Sequence, residues 1–149
     1  MYDEKKQAQQ IISNIFSINH DGVIINIEEE NEALAIQIEI EYLAELRASE
    51  HKTFVYKLLE YSNLKFIDIC NENKTYTNIE EIKQMELTIL ESGIRDEKII
   101  IGVCSHKSAY GELEFMTNGV MIFDQDNVKM EYTELQEIAK KYWENWSKK

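Results

Sequence analysis

From Ala35 to Leu43 the chain alternates. Ile36, Ile38, Ile40 and Tyr42 are apolar or aromatic, and Gln37, Glu39 and Glu41 between them are polar. A period of two sends successive side chains to opposite faces of a strand and does not fit the stripe of a helix. A second strand is predicted from Val23 to Glu28, with the polar stretch EENEA as the turn between the two. The expected unit is a hairpin with its apolar face on a core and its acidic face in water. That acidic face costs little. Glu39 and Glu41 would stand about 7 Å apart along a strand and repel by roughly 0.6 kcal/mol in water. Each large apolar side chain buried on the other face contributes about 1.5–3 kcal/mol.

Elsewhere the period changes. Ala8, Ile11, Ile12 and Ile15 are spaced as one face of a helix, predicted from Tyr2 to Phe16 with Asp3 near its start. The stretches KTFVYKLLEYS and NLKFIDIC read as strands, the first also compatible with a short helix, and KIIIGVC reads as a central strand with both faces apolar. NIEEIKQME reads as a helix with Asn78 as N-cap and Glu81 three residues on. MELTILES is read as its continuation through Leu90, ended by Gly93. In GELEFMTNGVMIFD, Asn118-Gly119 between two β-rich runs predicts a type I′ hairpin. Thr133 and Gln136 form a capping box that opens the last helix. Its apolar stripe is Leu135, Ile138, Ala139, Tyr142, Trp143 and Trp146, with Lys140, Lys141, Lys148 and Lys149 toward its end. Trp143 lies mid-stripe, so burial against the sheet is expected and its truncation would cost about 3–5 kcal/mol.

These elements predict a single α+β domain over residues 1–149. It consists of a mainly antiparallel, meander-like sheet of about six strands with an N-terminal and a C-terminal helix packed on it. A chain of 149 residues, 44% of them hydrophobic, has the length and apolar content for one core. Proline is absent and glycine numbers 5, which predicts short connections rather than linkers.

Charge narrows the partners. With 16 Lys and Arg against 28 Asp and Glu, the formal net charge is −12. A phosphate backbone has to be met by cations, so nucleic acid is not expected as a partner, nor an anionic membrane surface. A basic protein is compatible, and so is solubility as the sole role of the charge. The opening MYDEKKQAQQ lacks the apolar stretch of a signal peptide, and no apolar run approaches the ~20 residues of a membrane span. Cys70 and Cys104 each sit in an apolar run and are expected buried and reduced, so a cytoplasmic location is expected.

The search for chemistry is mostly negative. His20-Asp21 has no further histidine at metal-ligand spacing, and with Gly22 it reads as a turn, the glycine taking the awkward φ. No phosphate-binding glycine loop and no G-x-S-x-G elbow occurs. Cys104 and His106, two apart on a strand, would be about 7 Å apart, too far for direct proton transfer. No catalytic residue, metal site or cofactor is expected.

The stretches FSINHDGVIINIE, LAIQIEIEYL, GELEFMTNGVMI and ELQEIAKKYWENW, taken together, resemble small Firmicute-type immunity proteins and related families. In these an HD-x-x-I entry precedes a β-meander and a C-terminal helix closes the fold. The resemblance implies a cytosolic protein that neutralises a cognate toxin, often a basic nuclease, and it assigns no residue. The expected function is therefore non-enzymatic binding of a basic protein partner, as an immunity-type inhibitor. Glu28, Glu29, Glu30 and Glu32 at the hairpin turn and Glu39 and Glu41 on the exposed face would steer that partner. Two other classes fit the same residues: a small enzyme using His20, Asp21 and carboxylates with a divalent metal, and a phage or host structural or assembly protein.

Overall fold

The computed structural model describes residues 4–147. Tyr2, Asp3, Lys148 and Lys149 lie outside them. Helix α1 (Glu4–Ile18) leads into the hairpin of β1 (Val23–Glu30) and β2 (Ala33–Glu39). A short α2 (Glu41–Arg47) precedes β3 (Thr53–Leu59), β4 (Ser62–Asp68) and β5 (Lys74–Tyr76). After α3 (Ile79–Lys83) come β6 (Thr88–Arg95), β7 (Lys98–Cys104), β8 (Gly111–Met116), β9 (Gly119–Asp124) and β10 (Lys129–Met130), and α4 (Tyr132–Ser147) follows. The fold is α+β and its ladders are antiparallel, but the sheet has ten strands, not about six, in the order β10-β9-β3-β2-β1-β6-β7-β8-β4-β5.

Two three-stranded meanders, β1–β2–β3 and β6–β7–β8, meet where Val23 pairs with Thr88 and the Ile24 N–H donates to the Leu87 carbonyl at 2.8 Å. The third strand of each bends and runs on into the other half. Thus β3 continues into β4, which pairs with β8, and β8 continues into β9, which pairs with β3. Strands that bend and change partners in this way make the corners of strongly curled sheets. The bend is held at Leu59. Its carbonyl accepts the Asn118 N–H at 3.0 Å and the Thr117 hydroxyl at 2.7 Å. Asn118 Nδ2 also donates to Glu60 at 2.9 Å.

This overturns the Asn118-Gly119 hairpin. Strands β8 and β9 do not pair with each other, and Gly119 has no positive φ. Val120, which would face Thr117 across that turn, pairs instead with Leu58 of β3. The helix expected through Leu90 is also overturned. After α3 the chain enters β6, and Gly93 lies inside that strand, opposite Ile100. Asn78 does cap α3, accepting the Glu81 N–H at 3.1 Å. The strand expected to reach Leu43 stops at Glu39. Ile36, Ile38 and Ile40 are buried and Glu39 is exposed, as the alternation requires, but Glu41, Tyr42 and Leu43 belong to α2. Leu43 and Ala44 give that helix its own buried face.

Helix α1 covers the curl. Ile12, Ile15 and Phe16 are buried, and the Phe16 ring meets Tyr56 of β3 at 6.0 Å and Phe115 of β8 at 5.8 Å. One side chain thus touches both halves of the sheet. Asn19, buried just past the helix, donates from Nδ2 to Ile15 O and to the Tyr56 hydroxyl, each at 2.8 Å. Among the described residues no helix is long and apolar enough to cross a membrane.

The last helix starts two residues earlier than the Thr133 cap would place it. It begins at Tyr132, with the Glu134 carboxylate accepting the Glu131 N–H. Glu134 therefore plays toward Glu131 the part expected of Gln136 toward Thr133. Leu135, Ile138 and Ala139 are buried, but Trp143 and Trp146 are 42% and 59% exposed. From Leu135 to Trp146 a helix advances about 16 Å, enough to carry the stripe past what it packs on. The cysteines also depart from expectation: Cys70 is exposed in the turn after β4, and Cys104 is half-buried.

Arg47 of α2 joins this end of the molecule together. Its guanidinium meets Asp124 at 3.2 Å and Glu134 at 3.4 Å. Burial works to raise the Asp124 pKa. The Val128 and Asp126 N–H groups and Arg47 outweigh it and hold the carboxyl below the usual range. A folded pKa below the unfolded one stabilises the native state above the unfolded value, near 4, and that contribution is lost as pH falls through the folded pKa. Asp124→Asn is expected to cost about 1–3 kcal/mol at neutral pH. Urea melts at stepped pH should show the gap to wild type closing below about pH 4. A gap that persists unchanged into acid would contradict the assignment.

Candidate functional site

The expected acidic residues divide between two places. At the hairpin turn, Asn31 and Glu32 have φ of 46° and 69°. Positive φ at both central residues is the type I′ geometry. Glu28, Glu29, Glu30 and Glu32 are all exposed there. Glu30 meets Lys57 at 3.2 Å, Asn26 donates to Glu28 at 3.0 Å, and the Tyr61 hydroxyl donates to Glu29.

Register explains what gathers at this tip. Leu34 pairs with Leu58. Continuing that antiparallel ladder two residues puts Glu60 level with Glu32. The bend into β4 then brings Tyr61 and Ser62 alongside. Glu29, Glu32, Glu60, Tyr61 and Ser62 line an open depression of about 520 Å³. Three carboxylates thus surround one phenol, and among the described residues no cation lines the depression. Glu60 and Tyr61 were not legible as site residues. They lie inside KTFVYKLLEYS, and only the β2–β3 register and the bend bring them to the turn.

Glu39 and Glu41 are elsewhere. Glu39 pairs with Val23 at the open end of the hairpin, six residues along β2 from Ala33. That is about 20 Å from the turn. Glu41 opens α2. Both are exposed, but they do not share a strand face as expected. Glu39 lies near Asp21, which stands two residues before Val23.

His20-Asp21-Gly22 does form a turn, with the glycine's part reversed. Asp21 takes the positive φ, 72°, and Gly22 does not. Gly22 is needed for close approach, since a Cβ there would stand 2.7 Å from Ile38 Cγ2 and 2.8 Å from Asn19 O. His20 Nδ1 lies 2.9 Å from Ser17 O, and its carbonyl accepts the Tyr42 hydroxyl at 2.9 Å. The imidazole stacks on Trp143 with centroids 5.4 Å apart and planes at 14°. Tyr42 meets Tyr142 at 4.5 Å, and Tyr142 meets Trp143 at 5.0 Å. Burial, then the charges of Asp21 and Tyr142, raise the Tyr42 pKa to about 12. The phenol is therefore a neutral donor throughout the physiological range.

Of the other two histidines, His51 is buried with Nε2 3.1 Å from Asp126, and His106 is exposed in the turn after β7. Among the described residues no group of three or more His, Cys, Asp or Glu is placed to hold a metal ion.

The exposure of Trp143 replaces the expectation that its loss would cost as much as a core aromatic. Trp143→Ala removes its contacts with His20 and Tyr142, aromatic pairs worth about 0.5–1.5 kcal/mol each. Chemical denaturation should show a loss of about 1–2 kcal/mol. A loss above about 3 kcal/mol would place the indole in the core after all.

No family model, curated protein or solved structure matches the chain.

Proposed function

We propose that this protein is a non-enzymatic binding protein that captures a basic protein partner through the acidic tip of the β1–β2 hairpin. The observation that carries this reading is the depression at the tip, where Glu29, Glu32 and Glu60 surround Tyr61. An arginine or lysine entering it would exchange hydration for charge-assisted hydrogen bonds to the carboxylates and would lie against the phenol face. Glu28 and Glu30 extend the field around it. On a chain of net charge −12, that field raises the rate of encounter with a cation-rich surface. Neutralisation of a toxin by occlusion, the role implied by the resemblance to immunity proteins, is the form of this activity we favour. In that role the bound tip covers the surface the toxin uses.

The I′ turn supports the reading, because a turn closed by the flanking strand pair loses less conformational freedom on binding than an open loop. The Asn118–Glu60 bond holds one of the three carboxylates in place from behind.

The test replaces Glu28, Glu29, Glu30 and Glu32 together with glutamine. All four are exposed, so folding stability should change by less than about 0.5 kcal/mol per site. A basic protein recovered by affinity capture from the source cells serves as the partner, and association rates are measured by surface plasmon resonance. At low salt the variant should associate about tenfold more slowly. The difference should shrink as the Debye length falls below about 8 Å. Equal rates at low salt would remove the hairpin tip from the mechanism.

A further inference from the structure

Strand β6 has a free edge. It pairs with β7 along its length but with β1 only at Thr88. The β6–β7 turn is Asp96-Glu97, with φ of 52° and 66°, flanked by the pair Arg95–Lys98. In a two-residue turn of this kind the flanking pair is hydrogen-bonded, and along an antiparallel ladder such pairs alternate with unbonded ones. Arg95 and Gly93 therefore turn their backbone groups to β7, and Ile94 and Ser92 turn theirs away. Past the bulge the same alternation sends Ile89 away, and its N–H and carbonyl do meet the Gly22 carbonyl at 2.8 Å and the Asp21 N–H at 2.7 Å. Beyond the β7 ladder, no hydrogen bond among the described residues uses the N–H or carbonyl of Ser92 or Ile94. Helix α1 lies under the inner face of the strand, where Ser13 Oγ is 3.1 Å from Ser92 Oγ. Residues 91–95 all line an open depression of about 310 Å³ with Gly102 and Glu112. A free edge is a template for another strand. We propose that this edge is a homodimer interface, at which β6 pairs antiparallel with β6 of a second copy about Gly93.

The segment is complementary to itself. Bonded pairs across the interface need outward backbone groups from both strands, so the two-fold axis falls at Ser92, Gly93 or Ile94. An axis at Ser92 brings Arg95 of the second copy level with Ile89, where Asp21 and Gly22 already hold the edge. An axis at Ile94 sets each Arg95 opposite a glycine. An axis at Gly93 bonds Ser92 to Ile94 twice and sets Glu91 opposite Arg95 twice. Opposite charges that face each other across a ladder stabilise it. Both side chains are exposed. Charges on an edge ordinarily keep other strands away, but opposite signs placed symmetrically select a copy of themselves. Nothing in its own chain lies within 4 Å of where a Gly93 Cβ would stand, so the axis is open. Leu90 and Ile94, 41% and 39% exposed, gain cover. The other edges offer no such match. The free side of β1 carries Glu28, Glu29 and Glu30, which would repel a copy, and β5 and β10 are three and two residues long.

Sedimentation velocity of the full chain reads the oligomeric state, at physiological salt to screen the net charge of −12 on each copy. An edge contact this short lies at the small end of interface size, so a reversible dimer is expected with a Kd of about 10–300 μM. Ile94→Pro removes an outward N–H without touching the β7 ladder and should leave a folded monomer. Glu91→Arg and Arg95→Glu should each weaken self-association at least about tenfold, because each sets like charges face to face. Mixing the two single variants should restore the dimer, since every arginine then faces a glutamate. A merely structural effect of either substitution is not undone by mixing. A chain that stays monomeric up to about 1 mM would overturn the proposal. So would a dimer that Ile94→Pro leaves intact, or charge variants that mixing does not rescue.

Discussion

The Leu59 carbonyl is the point on which this fold turns. It accepts two donors from the crossing chain, the Asn118 N–H and the Thr117 hydroxyl, where β3 bends into β4 and β8 into β9. Thr117 is buried, and its hydroxyl also lies 3.0 Å from Gly119 O, so it ties both chains at the crossing. Without the bend each meander would be a three-stranded sheet with a wide apolar face and nothing to cover it. With it, the two faces turn toward each other and Phe16 of α1 reaches both.

The same bend organises the surface. Because β3 ends at the bend, Glu60 and Tyr61 project beside the β1–β2 turn and complete the acidic depression. The open end of that hairpin, with Glu39, adjoins the start of α2, and His20 just before it stacks on Trp143 of α4. The carboxylates that look like one face in the sequence therefore form two groups at opposite ends of β2. Electrostatically this is inexpensive, since about 20 Å exceeds two Debye lengths at physiological salt.

Much of the fold was legible because burial leaves a period in the sequence. Ile36, Ile38 and Ile40 alternate with Gln37 and Glu39 and are buried, and the apolar run of β7 is flanked by strands on both sides. Local signals failed where a distant contact outcompeted them. Asn118-Gly119 has the composition of a I′ turn, but Val120 pairs with Leu58 of β3, far away in sequence, instead of facing Thr117. The apolar positions of MELTILES suit a helix or a strand equally, and pairing with β7 decides for the strand. The stripe of α4 was read correctly as a stripe, yet periodicity does not say how far the packed neighbour extends. Trp143 and Trp146 continue the pattern into solvent. The acidic tip was legible from Glu28 to Glu32, whereas Glu60 and Tyr61 required the register.

The bent ribbon is tested most directly by interproton contacts in a nuclear Overhauser spectrum of the isotopically labelled chain. The account predicts cross-strand contacts between Tyr56 and Ile122 and between Phe66 and Leu113, because β3 pairs with β9 and β4 with β8. Contacts of Phe115 with Ile122 and of Thr117 with Val120 in their place would show β8 and β9 closed as a hairpin about Asn118-Gly119. That result would contradict the bend, and with it the placement of Glu60 and Tyr61 at the acidic tip.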